Sequence, residues 1–168
     1  MKNIIAKSLY AGLAIAIGAT AYVKVEGGVL GSFLFSIGLL MVCIMNLNLF
    51  TGRVAAKIDS NNSVWDLFVI WVFNIAGIGL IALLMEYIGL TFDASKKLAE
   101  TPIQTVILGI FCNILIGIAV YGYRKTNNPI IVILAIMAFI LSGFEHCIAN
   151  VFYFVLARAP FITAAKYI

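Results

Sequence analysis

The sequence predicts an all-α membrane protein: one transmembrane domain built as an inverted repeat, with a broken second helix in each half. Three observations predict it. The composition lies far outside the soluble range, with 64% hydrophobic residues, 11% charged residues and a mean hydropathy of +1.12 over 168 residues. Apolar runs of about 20 residues recur along the chain, the length that crosses a hydrocarbon core as a helix while satisfying its own backbone groups. Two of these runs are interrupted, at comparable places, by polar residues and glycine.

Five spans are recognisable. The first runs from about Ile4 to Val23, the second from Val29 to Leu49, the third from Val64 to Met85 and the fourth from Ile103 to Tyr123; the fifth opens at Pro129 or Ile130. The first span is read as retained, because it starts too close to Met1, lacks a small-residue cleavage site and is followed by further spans. Gly12 and Gly18 on span one, with Gly77 and Gly79 on span three, offer small-residue faces for close helix contact.

Lysine and arginine near the span ends set the orientation. Lys2 and Lys7 precede span one, Arg53 and Lys57 follow span two, and Arg124 and Lys125 follow span four, all on one side. The opposite loops balance Lys24 with Glu26, and Lys96 and Lys97 with Asp93 and Glu100. This places the N-terminus in the cytoplasm and the chain in the cell's inner (plasma) membrane. The net charge of +4 is thereby accounted for as topology, and no basic patch with interleaved aromatics marks a nucleic-acid surface.

Span two ends in "NLNLFTGR", where Asn46 and Asn48 lead into Leu49, Phe50, Thr51 and Gly52, with Gly52 as the helix interruption and Thr51 at that break; span five is broken by Ser142 and Gly143, followed by Phe144, Glu145 and His146. With the first repeat at about 1–95 and the second, shortened one at about 96–168, each break falls in the second span of its half. Three spans per half is an odd number, so the halves insert upside down to each other. That is the arrangement in which paired broken helices meet near the midplane and build a transport site. An ionisable residue inside a membrane is costly, so His146 is read as functional. Thr51, beside Gly52, is read as pore-lining, and Glu145 as a structural acceptor for backbone N–H groups freed at the break.

Other chemistries lack the residues they need. Cys43, Cys112 and Cys147 are isolated packing residues with no C-x-x-C spacing, and the single histidine has no ligand cluster for a metal. No nucleotide loop or catalytic triad spacing is present, so neither an enzyme nor a cofactor is expected.

The strings "SLYAGLAIAIG", "GSFLFSIGLLMV", "NLFTGR", "FNIAG" after Trp65, "GIFCNILIGIAVYG" and above all "SGFEHCIANVF" resemble the formate/nitrite transporter family, in matching order from about Ser8 to Phe154. The resemblance implies an aquaporin-like fold, a homopentamer, and one pore per protomer for a small monovalent anion such as formate, nitrite or hydrosulfide. It makes His146 the central pore histidine, Thr51 the threonine of the interrupted second helix, and Asn113 the fourth-span asparagine behind the histidine. Phe35, Leu39, Leu49, Phe50 and Phe139 fall where the family builds two apolar constrictions. Lys97 falls near the basic residue of the outer vestibule, and Glu145 and Asn150 at positions that support the broken fifth helix. The alternative reading is a non-transporting membrane subunit or remnant of such a channel.

The sequence departs from the family pattern twice. After the motif it continues as "YFVLARAPFITAAKYI", which Arg158, Pro160 and Lys166 interrupt too often for a sixth span; it is expected to extend the fifth helix and then lie at the interface. Asn46 and Asn48 also stand where small residues are frequent in the family, with a role in the pore and simple packing as the two alternatives.

Overall fold

The computed structural model describes residues 2–55 and 63–168; Lys57 of the expected basic loop falls outside them. Among the described residues three helices are long and apolar enough to cross a membrane alone: α1 (Lys2–Lys24), α4 (Val64–Tyr87) and α6 (Pro102–Thr126). Two further spans are composite. The second is α2 (Gly28–Ile44) followed by α3 (Phe50–Ala55), and the fifth is α7 (Pro129–Leu141) followed by α8 (Cys147–Leu156). A one-turn α5 (Ser95–Leu98) joins the halves, and α9 (Phe161–Ala164) with a 3-10 turn at Ala165–Tyr167 follows α8.

Local chemistry explains the boundaries. Ser63 with Asp66 and Thr101 with Gln104 form reciprocal capping boxes at the starts of α4 and α6, while Asn128 caps α7. Pro102 and Pro129 occupy first-turn positions, where the missing N–H costs nothing. Both composite spans unwind by one device. At the end of α2, Asn46 adopts φ 49°, its N–H donating to Cys43 O and the Leu47 N–H to Val42 O. At the end of α7, Gly143 adopts φ 69°, with the same pattern from Gly143 to Ile140 O and from Phe144 to Phe139 O. These are Schellman ends, in which a left-handed residue turns the chain out of the helix. Asn46 is thus at a position where glycine or asparagine alone is comfortable.

The helices pack in the order expected of two repeats. α1 lies against α2 and α4, α6 against α7, α2 against α7 across the centre, and α8 against α4. Glycine sets the closest approaches: a Cβ on Gly12 would stand 2.3 Å from Asn74 O, one on Gly77 2.3 Å from Leu9 O, and one on Gly18 2.6 Å from Phe35 O. Gly12, Gly18 and Gly77 are therefore consumed inside the protomer, leaving only Gly79 of the four expected contact glycines facing open space. The core is a continuous apolar cluster from Ala11 to Leu156 that includes Phe35, Leu39, Leu49, Ile116, Ile136 and Phe152.

Past Phe154 the chain extends α8 by two residues and then forms only short turns, with no further span among the described residues. α8 stops at Leu156, where Arg158 turns with φ 50° and pairs with Glu86 at the end of α4. The chain then folds back: Tyr167 is buried with Ala94, Phe154 and Ala164, and its hydroxyl donates toward the carbonyls of Leu98 and Glu100.

Candidate functional site

The two breaks each leave five residues of unwound backbone, Met45–Leu49 and Ser142–His146, whose second parts, Leu47–Leu49 and Glu145–His146, are buried. Backbone groups freed there need partners, since water is scarce and each orphan is costly. The partners differ between the breaks, and they create the site.

At the first break the partner is Asn74 of α4, completely buried. Its Nδ2 donates to Ser8 O at 2.7 Å and Asn48 O at 2.9 Å, and its Oδ1 accepts from the Phe50 N–H at 2.8 Å, which caps α3 from another helix. The Asn48 N–H donates to Lys7 O, and the Asn48 side chain accepts from Arg53 at 2.5 Å. Both asparagines of "NLNLF" therefore belong to the architecture of the break. Sequence reasoning misses Asn74, although it stands in the "FNIAG" string; a lone asparagine at the middle of an apolar span is the signal that marks it.

At the second break His146 is itself the N-cap of α8. Its Nδ1 accepts from the Ala149 N–H at 3.1 Å, and its Nε2 lies 3.0 Å from Thr51 Oγ1. An acceptor at Nδ1 carries no proton, so a neutral ring carries it on Nε2 and donates it to the threonine hydroxyl. His146 and Thr51 are only 3% and 2% exposed, and they tie one broken helix to the other at the centre of the fold.

Glu145 has side-chain partners in place of the expected backbone donors. Lys97 pairs with its Oε1, and Asn150 Nδ2 donates to its Oε2 at 2.7 Å and to Tyr167 O at 3.0 Å. Lys97 also lies 5.8 Å from the Tyr153 ring centroid. The supposed vestibule cation is thereby already countered by a buried carboxylate. Nearby, outside the spans, burial and then the charge of Glu145 push the Glu100 carboxyl above its usual range. Asn113 does not hydrogen-bond to the histidine: its Nδ2 donates to Gly109 O on its own helix, and its buried Oδ1 has no partner among the described residues.

Cavities approach this pair from two ends. One, of about 80 Å³, is lined by His146, Phe139, Lys97, Tyr22, Phe92 and Tyr153, among others. On the other side Leu49, Leu47, Val42 and Val120 line a neck of about 20 Å³ that also reaches Arg53 and Arg124. The Phe35 and Phe139 rings meet edge-on at 6.1 Å, and Phe139 lies 5.9 Å from the imidazole. Phe35 and Leu39 are buried in the core and Phe50 is half-buried against it; none of the three lines these two cavities. Among the described residues no cluster of metal-ligating side chains occurs.

A family model described as formate/nitrite transporter matches residues 1–168. The chain is similar to the formate channel FocA of Haemophilus influenzae, with 32% identity over 145 positions, covering 73% of this chain and 51% of that protein. Formate channel FocB of Escherichia coli is 29% identical over 177 positions, covering 86% and 63%, and nitrite transporter NirC of the same organism is 31% identical over 144 positions, covering 73% and 54%. The chain thus spans between about half and just under two thirds of the length of these relatives. Among solved structures, a pentameric formate channel with formate bound matches with a TM-score of 0.74 and 28% identity, covering 98% of this chain and 82% of that one. An FNT family ion channel, at 23% identity and the same TM-score, shares the fold.

Proposed function

Because the chain belongs to the formate/nitrite transporter family, we propose that it is a channel for small monovalent anions, of the formate, nitrite or hydrosulfide type, with His146 and Thr51 as the central pair. The observation that carries this reading is the buried Thr51–His146 contact joining two broken helices, with an apolar neck on one side and a cavity on the other. The family and structural relatives are channels and transporters, which speaks for conduction over catalysis.

The physical problem is desolvation. An anion squeezed past Leu49 or past Phe139 loses its water, and an apolar wall returns nothing. Between those points His146 Nε2–H donates to Thr51 Oγ1, and the threonine keeps its own hydroxyl proton to donate elsewhere. An arriving anion takes the Nε2–H from Thr51 Oγ1 and accepts the threonine O–H as well, so one bond is replaced by two. The geometry favours hydrogen-bond donation over the lending of a proton, because a doubly protonated ring would aim Nδ1–H at the Ala149 N–H and release the cap of α8. Asn150, Glu145 and Lys97 hold the second break in place, and Leu49 and Phe139 are the constrictions, with Phe35 packed against Phe139.

The pentameric assembly of the solved formate channel supports a homopentamer with one pore per protomer. Basic residues gathered at the end of the bundle that carries Lys7, Arg53 and Arg124 support a cytoplasmic N-terminus in the cell's inner membrane.

Formate and nitrite flux into proteoliposomes tests the function. His146→Asn preserves both an acceptor for the Ala149 N–H and a donor for the anion, so it should assemble and conduct at a reduced rate. His146→Phe removes both, should cost the cap about 1 kcal/mol, and should abolish flux. Flux of wild-type size in His146→Phe would remove the histidine from the mechanism. No flux in the unaltered protein would instead favour the non-transporting subunit.

A further inference from the structure

At the end of the bundle opposite Lys97, an open cavity of about 530 Å³ is lined by Arg53 from α3 and Arg124 from α6, with Asn46, Tyr123 and Asn127 around them. It continues into the narrow neck, whose walls include the same two arginines together with Leu49 and Gly52, the neighbours of Thr51. Two guanidinium groups therefore stand where the wide mouth becomes the apolar passage. Among the described residues their charge is not countered as it is at the other end. Lys97 pairs with Glu145 and Arg158 with Glu86, whereas among the described residues no carboxylate pairs with Arg53 or Arg124.

Arg53 is also held in position. Its Nη2 donates to Asn48 Oδ1, on a residue whose own backbone is fixed by Lys7 O and Asn74. That leaves the remaining N–H groups of a planar fork for a ligand. A guanidinium offers paired donors that match a planar oxyanion, where an ammonium would act only as a point charge. Two like charges lining one cavity repel each other, and a bound anion between them would relieve the repulsion.

We propose that Arg53 and Arg124 form an anion-loading site, which takes a small planar oxyanion such as a carboxylate or nitrite from water before it passes Leu49. This rests on the reading of the chain as an anion channel and adds a binding step at one mouth. A free anion and an anionic lipid headgroup share the chemistry that two arginines recognise; the continuity of the cavity with the neck assigns the site to the free anion.

Phenylglyoxal modification of the full chain in detergent, read by peptide mass spectrometry, tests binding without requiring transport. Sodium formate should slow modification of Arg53 and Arg124 relative to sodium chloride at equal ionic strength, and leave Arg158 unaffected. No slowing, equal slowing at Arg158, or slowing only by phosphatidylglycerol would overturn the proposal. In proteoliposomes, Arg53→Gln combined with Arg124→Gln should raise the half-saturating formate concentration by on the order of tenfold, the loss of one charge-assisted bond. It should also flatten the dependence on ionic strength. Unchanged half-saturation beside normal wild-type flux would sink the loading site and leave the channel reading standing, whereas absent wild-type flux would sink the channel reading and leave the protection experiment to decide whether the arginines bind anions.

Discussion

Replacing Asn74 with alanine removes the one side chain that binds three backbone groups around the first break. Two of these, the Phe50 N–H and the Asn48 carbonyl, belong to the unwound segment or the first residue of α3, and Asn74 is completely buried. A buried backbone group left without a partner costs about 1–3 kcal/mol, so two of them put the loss at about 2–6 kcal/mol. Side-chain hydrogen bonds measured inside membranes average about 0.6 kcal/mol because the unfolded chain in lipid also finds partners, which sets a floor near 2 kcal/mol for three bonds. Asn74→Asp should be at least as harmful: it can accept from Phe50 N–H, but it has no donor for the carbonyls of Ser8 and Asn48 and places negative charge against them. Thermal unfolding in mild detergent, read alongside flux, measures both effects. The break also carries Thr51, so flux should fall further than the folded fraction does. A melting temperature for Asn74→Ala within about 1 °C of the unaltered protein would show that the break is held by something other than Asn74.

Three further outcomes follow from the same packing. Lys97→Met leaves the 3%-exposed Glu145 carboxylate with Asn150 alone and should destabilise by about 3 kcal/mol, while adding Glu145→Gln should recover most of that loss in the same melting assay. Gly12→Ala and Gly77→Ala place a methyl group 2.3 Å from a backbone carbonyl oxygen and should cost about 1–3 kcal/mol or more, whereas Gly79→Ala meets nothing within 4 Å and should be neutral or slightly stabilising. Glu100 has its carboxyl pushed up by burial and by Glu145, so the native state binds its proton more tightly than the unfolded state. That penalty grows as pH rises through the ordinary carboxylate range and persists above it; Glu100→Gln should therefore raise the melting temperature at pH 7 and weaken the decline that begins above about pH 4.

The sequence by itself determined the membrane class, the five spans and the position of the second break; the first was expected at Gly52, but the chain unwinds earlier, at Met45–Leu49, because Asn46 takes the left-handed turn and Gly52 lies inside α3. Each of these depends on local quantities: the length of an apolar run, a cap box such as Ser63 with Asp66, a left-handed residue such as Gly143. The string around His146 also identified the family, and His146 and Thr51 stand out in the sequence without any view of their contact. What the sequence did not determine was which group each polar residue meets, because partners such as Lys97 and Glu145, or Asn74 and Asn48, are far apart in the chain and are brought together only by helix packing. Glu145, expected to serve backbone donors, binds two side chains instead; the tautomer of His146 is set by its own helix, with no bond from Asn113; and three of four small-residue contacts fall within one protomer. Tertiary structure decided these points because a buried polar group binds whichever complementary group packing leaves within about 3 Å, and that distance is a property of the assembled helices rather than of any one of them.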